Sequence, residues 1–215
     1  MLIMNGSIVD LFALRGGLVE KDVTPWQTFF GKGMKFRLQS YDWAECACLA
    51  HLSMKGLCGL MKMESVICTP YGKDVPLFSY DGINVFGRRT VFLELYDTQV
   101  EPIDLSAMDA VKSSYKDLKD KAMKPAWYDG LKLSPSTYKV GRGQRVYDLV
   151  NEMMTAYLDL FAGAKVVDRA AKTEKSRTYV EGLIGNGGPA VNVVSGMLGK
   201  EAAETMFRRF LFGTV

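Results

Sequence analysis

The stretch KDVPLFSYDGINVFGRRTVFLELYD, residues 73–97, sets a single carboxylate, Asp81, between two apolar runs, Pro76-Leu77-Phe78 and Ile83-Asn84-Val85-Phe86. Val, Ile, Phe and Tyr dominate it, so it reads as strand. An acid is costly in apolar surroundings unless it is paired or protonated. Two explanations fit Asp81. It turns the chain together with Gly82, since Asp-Gly is a favoured turn pair, or its burial serves chemistry.

The strand pattern continues upstream to Lys35. Phe36 and Leu38 alternate with Lys35, Arg37 and Gln39; Ala47, Leu49 and His51 alternate with a face running from Cys46 to Met54; Val91, Leu93 and Leu95 alternate with Phe92, Glu94 and Tyr96. Short Gly-containing links join these runs, which predicts an antiparallel meander, because a parallel pair needs a long crossover. After Asp97 the period changes. Met108, Val111, Tyr115, Leu118 and Ala122 follow helical spacing, Val146 to Phe161 form a nearly unbroken stripe at steps of three and four, and Ala203, Met206, Phe207, Phe210 and Leu211 mark a last helix. Strands first and helices afterwards predict an α+β fold with helices laid on the sheet.

A chain of 215 residues with 48% hydrophobic and 24% charged residues is globular and long enough for one sizeable core, so a single domain over 1–215 is expected. No stretch is apolar enough to span a bilayer, and MLIMNGSIVD carries an acid where a secretory leader would be basic, so a cytoplasmic location is expected. Cys46, Cys48, Cys58 and Cys68 crowd into one region and are expected to be reduced thiols, with Cys46 and Cys48 on one strand face. One histidine and a Cys-x-Cys without a second close pair speak against a zinc site. The net charge of +3 is mild, with no block of like charge; it is compatible with an acidic protein partner and gives no sign of a nucleic-acid groove. The Gly-rich pieces around Arg142 and Asn186 lack the remaining residues of a dinucleotide or phosphate loop and read as turns.

Taken in order, Asp74-Val75-Pro76-Leu77-Phe78-Ser79-Tyr80-Asp81, Pro70, His51 in Leu49-Ala50-His51-Leu52, Leu131-Lys132-Leu133-Ser134, Ala156-Tyr157-Leu158-Asp159-Leu160 and the segment from Met197 to Phe212 resemble the ferredoxin-dependent bilin reductases. The resemblance runs from about Phe36 to Phe212 and implies a three-layer α/β/α sandwich. Its central antiparallel sheet would be flanked by helices, with a tetrapyrrole pocket between sheet and C-terminal helices. It implies an oxidoreductase without flavin or metal that takes electrons singly from ferredoxin, an acidic donor, and reduces a bilin such as biliverdin by alternating electron and proton transfers.

The resemblance assigns Asp81 as principal proton donor, since an acid in an apolar pocket has its ionised form disfavoured and holds a proton near neutral pH. It adds His51, expected in the same pocket, and Asn186 as catalytic residues. Ser53, Ser65, Ser134, Lys139 and Arg142 are the substrate-binding candidates, the two cations for the propionates. The chain departs from the family where a glutamate becomes Ser53, a second histidine becomes Ser65, and an Asp or Asn near the pocket aligns with Gly188 unless a shift brings in Asn186. Fewer donors favour a two-electron reduction. They also leave open a non-catalytic tetrapyrrole binder, with a reductase of a chlorophyll catabolite as the near alternative and a protein interaction module as the more distant one.

Overall fold

The computed structural model describes residues 8–215; residues 1–7, on which part of the reading of the N-terminus rests, lie outside the described residues. A helix α1 (Ile8–Ala13) precedes strands β1 (Leu18–Glu20), β2 (Thr28–Gly31), β3 (Met34–Trp43), β4 (Ala47–Gly56), β5 (Met61–Pro70), β6 (Leu77–Val85) and β7 (Arg88–Tyr96). Then come α2 (Ser106–Ser114), β8 (Lys119–Asp120), β9 (Thr137–Gly141), α3 (Gln144–Gly163), α4 (Arg169–Asn186), α5 (Pro189–Leu198) and α6 (Lys200–Met206), which ends in a wider turn over Phe207–Leu211. Among the described residues no helix is long and apolar enough to cross a membrane.

All pairings within the sheet are antiparallel, in the order β1-β3-β4-β5-β6-β7-β9-β8 with β2 also on β3. The expected meander is β3 to β7, side by side in chain order. Its tightest link is the two-residue turn Phe86-Gly87, both at positive φ, the hairpin geometry that matches strand twist. Asp81 and Gly82 lie in mid-strand opposite Ser65 and Glu64, so they do not turn the chain.

Because side chains alternate across a strand, each face of the sheet carries its own core. On one face Trp43, Leu49, Val66, Phe78, Tyr80, Leu93 and Leu95 pack with α1, α2 and α3, where Trp43 stacks on Phe161 and Phe78 on Tyr157. On the other, Leu38, Leu52, Ile67, Leu77 and Tyr96 pack with α4, α5 and α6. The fold is therefore α+β, in three layers. The four cysteines are free thiols. Cys46 and Cys48 do not share a strand face: β4 begins at Ala47, and Cys46 packs toward the first core while Cys48 Sγ reaches the Phe210 carbonyl in the second.

Two elements differ from the sequence expectation. The helical spacing through Ala122 breaks at Ser114, because residues 119 and 120 leave the helix to pair with β9. Helix α4 had no apolar signature, since its buried stripe is Lys172, Ser176, Tyr179 and Val180. Lys172 is fully buried and donates to the carbonyls of Val75 at 2.7 Å and Thr98 at 2.6 Å, fastening α4 across the β6 and β7 ends. Burial lowers its pKa to about 8, against the opposing pull of Asp74 and Asp97.

Lys172→Ala is expected to cost about 2–4 kcal/mol in urea denaturation, from the cavity and two orphaned carbonyls. The unfolded chain keeps this proton up to about pH 10.4 and the folded chain loses it near pH 8, so stability should rise with pH across that window. Lys172→Met should abolish that rise.

Candidate active site

Asp81 sits at the centre of β6 on the face covered by α4 to α6. Pairing places Leu52, Ser65, Asp81 and Phe92 side by side on four adjacent strands. Ser65, itself buried, donates its hydroxyl to Asp81 Oδ1 at 2.5 Å. The residue keeps some contact with solvent, yet protein crowds its carboxyl. Burial pushes its pKa up to about 6, the Ser65 hydrogen bond pulls it back, and the charge of Glu94 pushes it further up. A carboxyl with that value holds a proton for part of the time at neutral pH and can exchange it.

Glu94 was not singled out from sequence. It lies on the same face of β7, buried, accepting from Tyr96 Oη at 2.7 Å and Tyr138 Oη at 2.8 Å, with Lys132 Nζ at 3.0 Å. Lys132 also meets Asp129 at 2.9 Å and lies over the rings of Tyr128 and Tyr138. The signal was present in the alternation: an acid sharing a strand face with Phe92 and Tyr96 poses the same question as Asp81.

His51 does not join Asp81. The register Leu52–Ser65–Asp81 puts even-numbered residues of β4 on the Asp81 face, so His51 and Ser53 point to the opposite one, and β5 lies between β4 and β6. There His51 Nε2 is 3.4 Å from Glu64 Oε1 and its Nδ1 3.3 Å from Gln39 Oε1, while Glu64 Oε2 is 3.6 Å from Arg89. Arg89 donates to the Tyr80 hydroxyl and stacks over Tyr147. Gly82 makes room for this cluster, for a Cβ there would run into Tyr80 and Arg89.

The remaining candidates are scattered. Ser134 is exposed and donates to Asp109 at 2.7 Å. Lys139 is buried and pairs with Asp120 at 2.7 Å, and its place opposite Val91 puts it on the α3 side of the sheet. Arg142 is exposed and donates to the Phe86 carbonyl at 3.4 Å, and Asn186, the last residue of α4, turns its amide back to Gly182. Of the eight residues, the fold unites Asp81 and Ser65. Among the described residues no group of His, Cys, Asp and Glu could hold a metal ion.

No family model matches the chain, and no curated protein sequence is significantly similar to it. Its fold is shared with a solved structure, tomato phytochromobilin synthase in complex with biliverdin, at a TM-score of 0.73 and 14% identity, covering 97% of this chain and 82% of that one.

A buried carboxyl with a raised pKa destabilises the fold once it ionises. Between the ordinary value near 3.9 and about 6 the folded chain binds more protons than the unfolded one, so stability falls as pH rises through that window. Asp81→Asn should match the parent at pH 4 and exceed it by about 1–3 kcal/mol at pH 7.5 in thermal or urea unfolding.

Proposed function

We propose that the chain is a ferredoxin-dependent reductase of a linear tetrapyrrole such as biliverdin. The pigment would bind between the Asp81 face of the sheet and helices α4 to α6, with Asp81 as its principal proton donor. One observation carries the reading: a carboxyl with its pKa raised to about 6 lies mid-sheet under the C-terminal helices. Support comes from the shared fold with a protein solved with biliverdin and from the ordered motif resemblance between Phe36 and Phe212.

Each double bond reduced takes two protons from the protein and solvent and two electrons, delivered one at a time by two reduced ferredoxins that leave oxidised. Protonating the pigment first makes it a better electron acceptor. Asp81 supplies that proton, and its anion stays bonded to the Ser65 hydroxyl until solvent restores the proton. Ser65 cannot itself be the acid, because a hydroxyl does not ionise near neutral pH. Its part is to orient the carboxyl. With His51 behind the sheet, Asp81 has one hydroxyl partner and one buried acid, Glu94, nearby, a donor set suited to a two-electron reduction.

Adding biliverdin to the purified protein should give a sharpened, red-shifted absorption band, and reduced ferredoxin should then bleach it. Asp81→Asn should retain the band and reduce about 10²–10⁴ times more slowly, while the parent rate should fall as pH rises above about 6. A stable band that ferredoxin does not bleach would identify a tetrapyrrole carrier instead. An unchanged spectrum would refute tetrapyrrole binding altogether.

A further inference from the structure

The sheet face opposite Asp81 carries a charge arrangement that the fold does not need. Cross-strand pairing aligns Phe30, Lys35, Lys55, Lys62, Asn84 and Arg89 in one row over six strands, all on that face. Three lysines thus stand on neighbouring strands with Cβ atoms about 5 Å apart, where like charges repel. Arg37 adds a fourth exposed cation in the next row. Among the described residues no carboxylate pairs with Lys35, Lys55 or Lys62. The acid beside them, Glu64, is held by His51 and Arg89.

Among the described residues no helix covers this part of the sheet, and Lys35, Lys55 and Lys62 are exposed. Apolar groups border the cations. Phe30 is 68% exposed with Lys35 Nζ 5.5 Å from its ring centre, and Leu57 and Leu60 stand exposed on the β4–β5 turn. Phe30, Met34, Lys35, Lys55 and Cys58 line a hollow of about 420 Å³ at this edge. The row from β2 to β7 spans roughly 24 Å at about 4.8 Å per strand, the width of a small-protein footprint rather than a track for a nucleic-acid backbone. Exposed cations around an aromatic anchor fit an acidic protein surface, whose charge would steer approach and relieve the repulsion among the lysines.

We propose that this bare basic face is the docking surface for a small acidic redox protein. The proposal rests on the reductase reading, under which such a partner must approach. A donor docked here would be one sheet's thickness from the Asp81 side, since Glu64 and Ser65 are chain neighbours pointing to opposite faces.

The test is titration of the full chain with a [2Fe–2S] ferredoxin, followed by calorimetry at low and high salt, for the parent, the triple variant Lys35→Glu/Lys55→Glu/Lys62→Glu, the milder triple Lys→Gln variant, and Phe30→Ala. Parent affinity should fall at least about tenfold between 50 and 300 mM salt. The Glu triple should bind at least about 30-fold more weakly, the Gln triple about tenfold and Phe30→Ala about threefold to tenfold. The biliverdin band should be unchanged in all of them. Equal ferredoxin affinity in the parent and both triple variants would overturn the docking surface, as would tighter, lysine-dependent binding of a 20-base-pair duplex. Lysine-dependent ferredoxin binding without any biliverdin band would sink the reductase and leave the surface standing. Biliverdin reduction with an unaltered KM for ferredoxin in the triple variants would do the reverse.

Discussion

The cross-strand register that puts Ser65 opposite Asp81 is the constraint on which the rest of the molecule depends. A strand displaced by one residue exchanges its two faces completely. With this register Asp81 lies under the C-terminal helices beside Ser65, Leu52 and Phe92, and its carboxyl is driven toward the protonated form. Slipped by one, the strand would present Tyr80 or Gly82 there and expel the acid to the other side. The two buried cores hold the register in place, since a slip of β6 alone would take Phe78 and Tyr80 out of one core and Leu77 out of the other.

The same parity gives the sheet two different chemistries. The face toward α4 to α6 holds Asp81 with Ser65 and, one row along, Glu94 with its tyrosines and Lys132. Here polar groups are few and buried; Asp81 and Glu94 have hydrogen-bond partners, while the hydroxyls of Thr69 and Ser176 have none among the described residues. The opposite face holds the His51–Glu64–Arg89–Tyr80 cluster and, beyond it, a row of lysines that no carboxylate pairs with among the described residues. Those charges tolerate proximity because water screens them, and a partner of opposite sign would find them already assembled. In the proposed reductase, the proton side and the electron side are the two faces of one sheet.

Much of the fold was legible because its signals are local. The two-residue alternation from Lys35 to Asp97 and the long stripe in α3 report which way each side chain points relative to its neighbours. Helix α4 was illegible because its buried stripe begins with Lys172 and Ser176. No apolar pattern announces a lysine that is buried for the sake of two carbonyl acceptors on other elements. Leu118 misled for the converse reason: its spacing suits a helix, but the β9 edge offered residues 119 and 120 a ladder to complete.

For the candidate site, the sequence by itself determined that an acid stands in an apolar strand and that His51 faces away from Leu52, because both are properties of one strand. Only the tertiary structure decided that His51 faces away from Asp81 as well, that Ser65 is the partner, that Glu94 lies alongside, and that Lys35, Lys55 and Lys62 form a row. Those relations depend on how separate strands are aligned, and alignment is set by the packing of both cores across the sheet, which no single segment encodes.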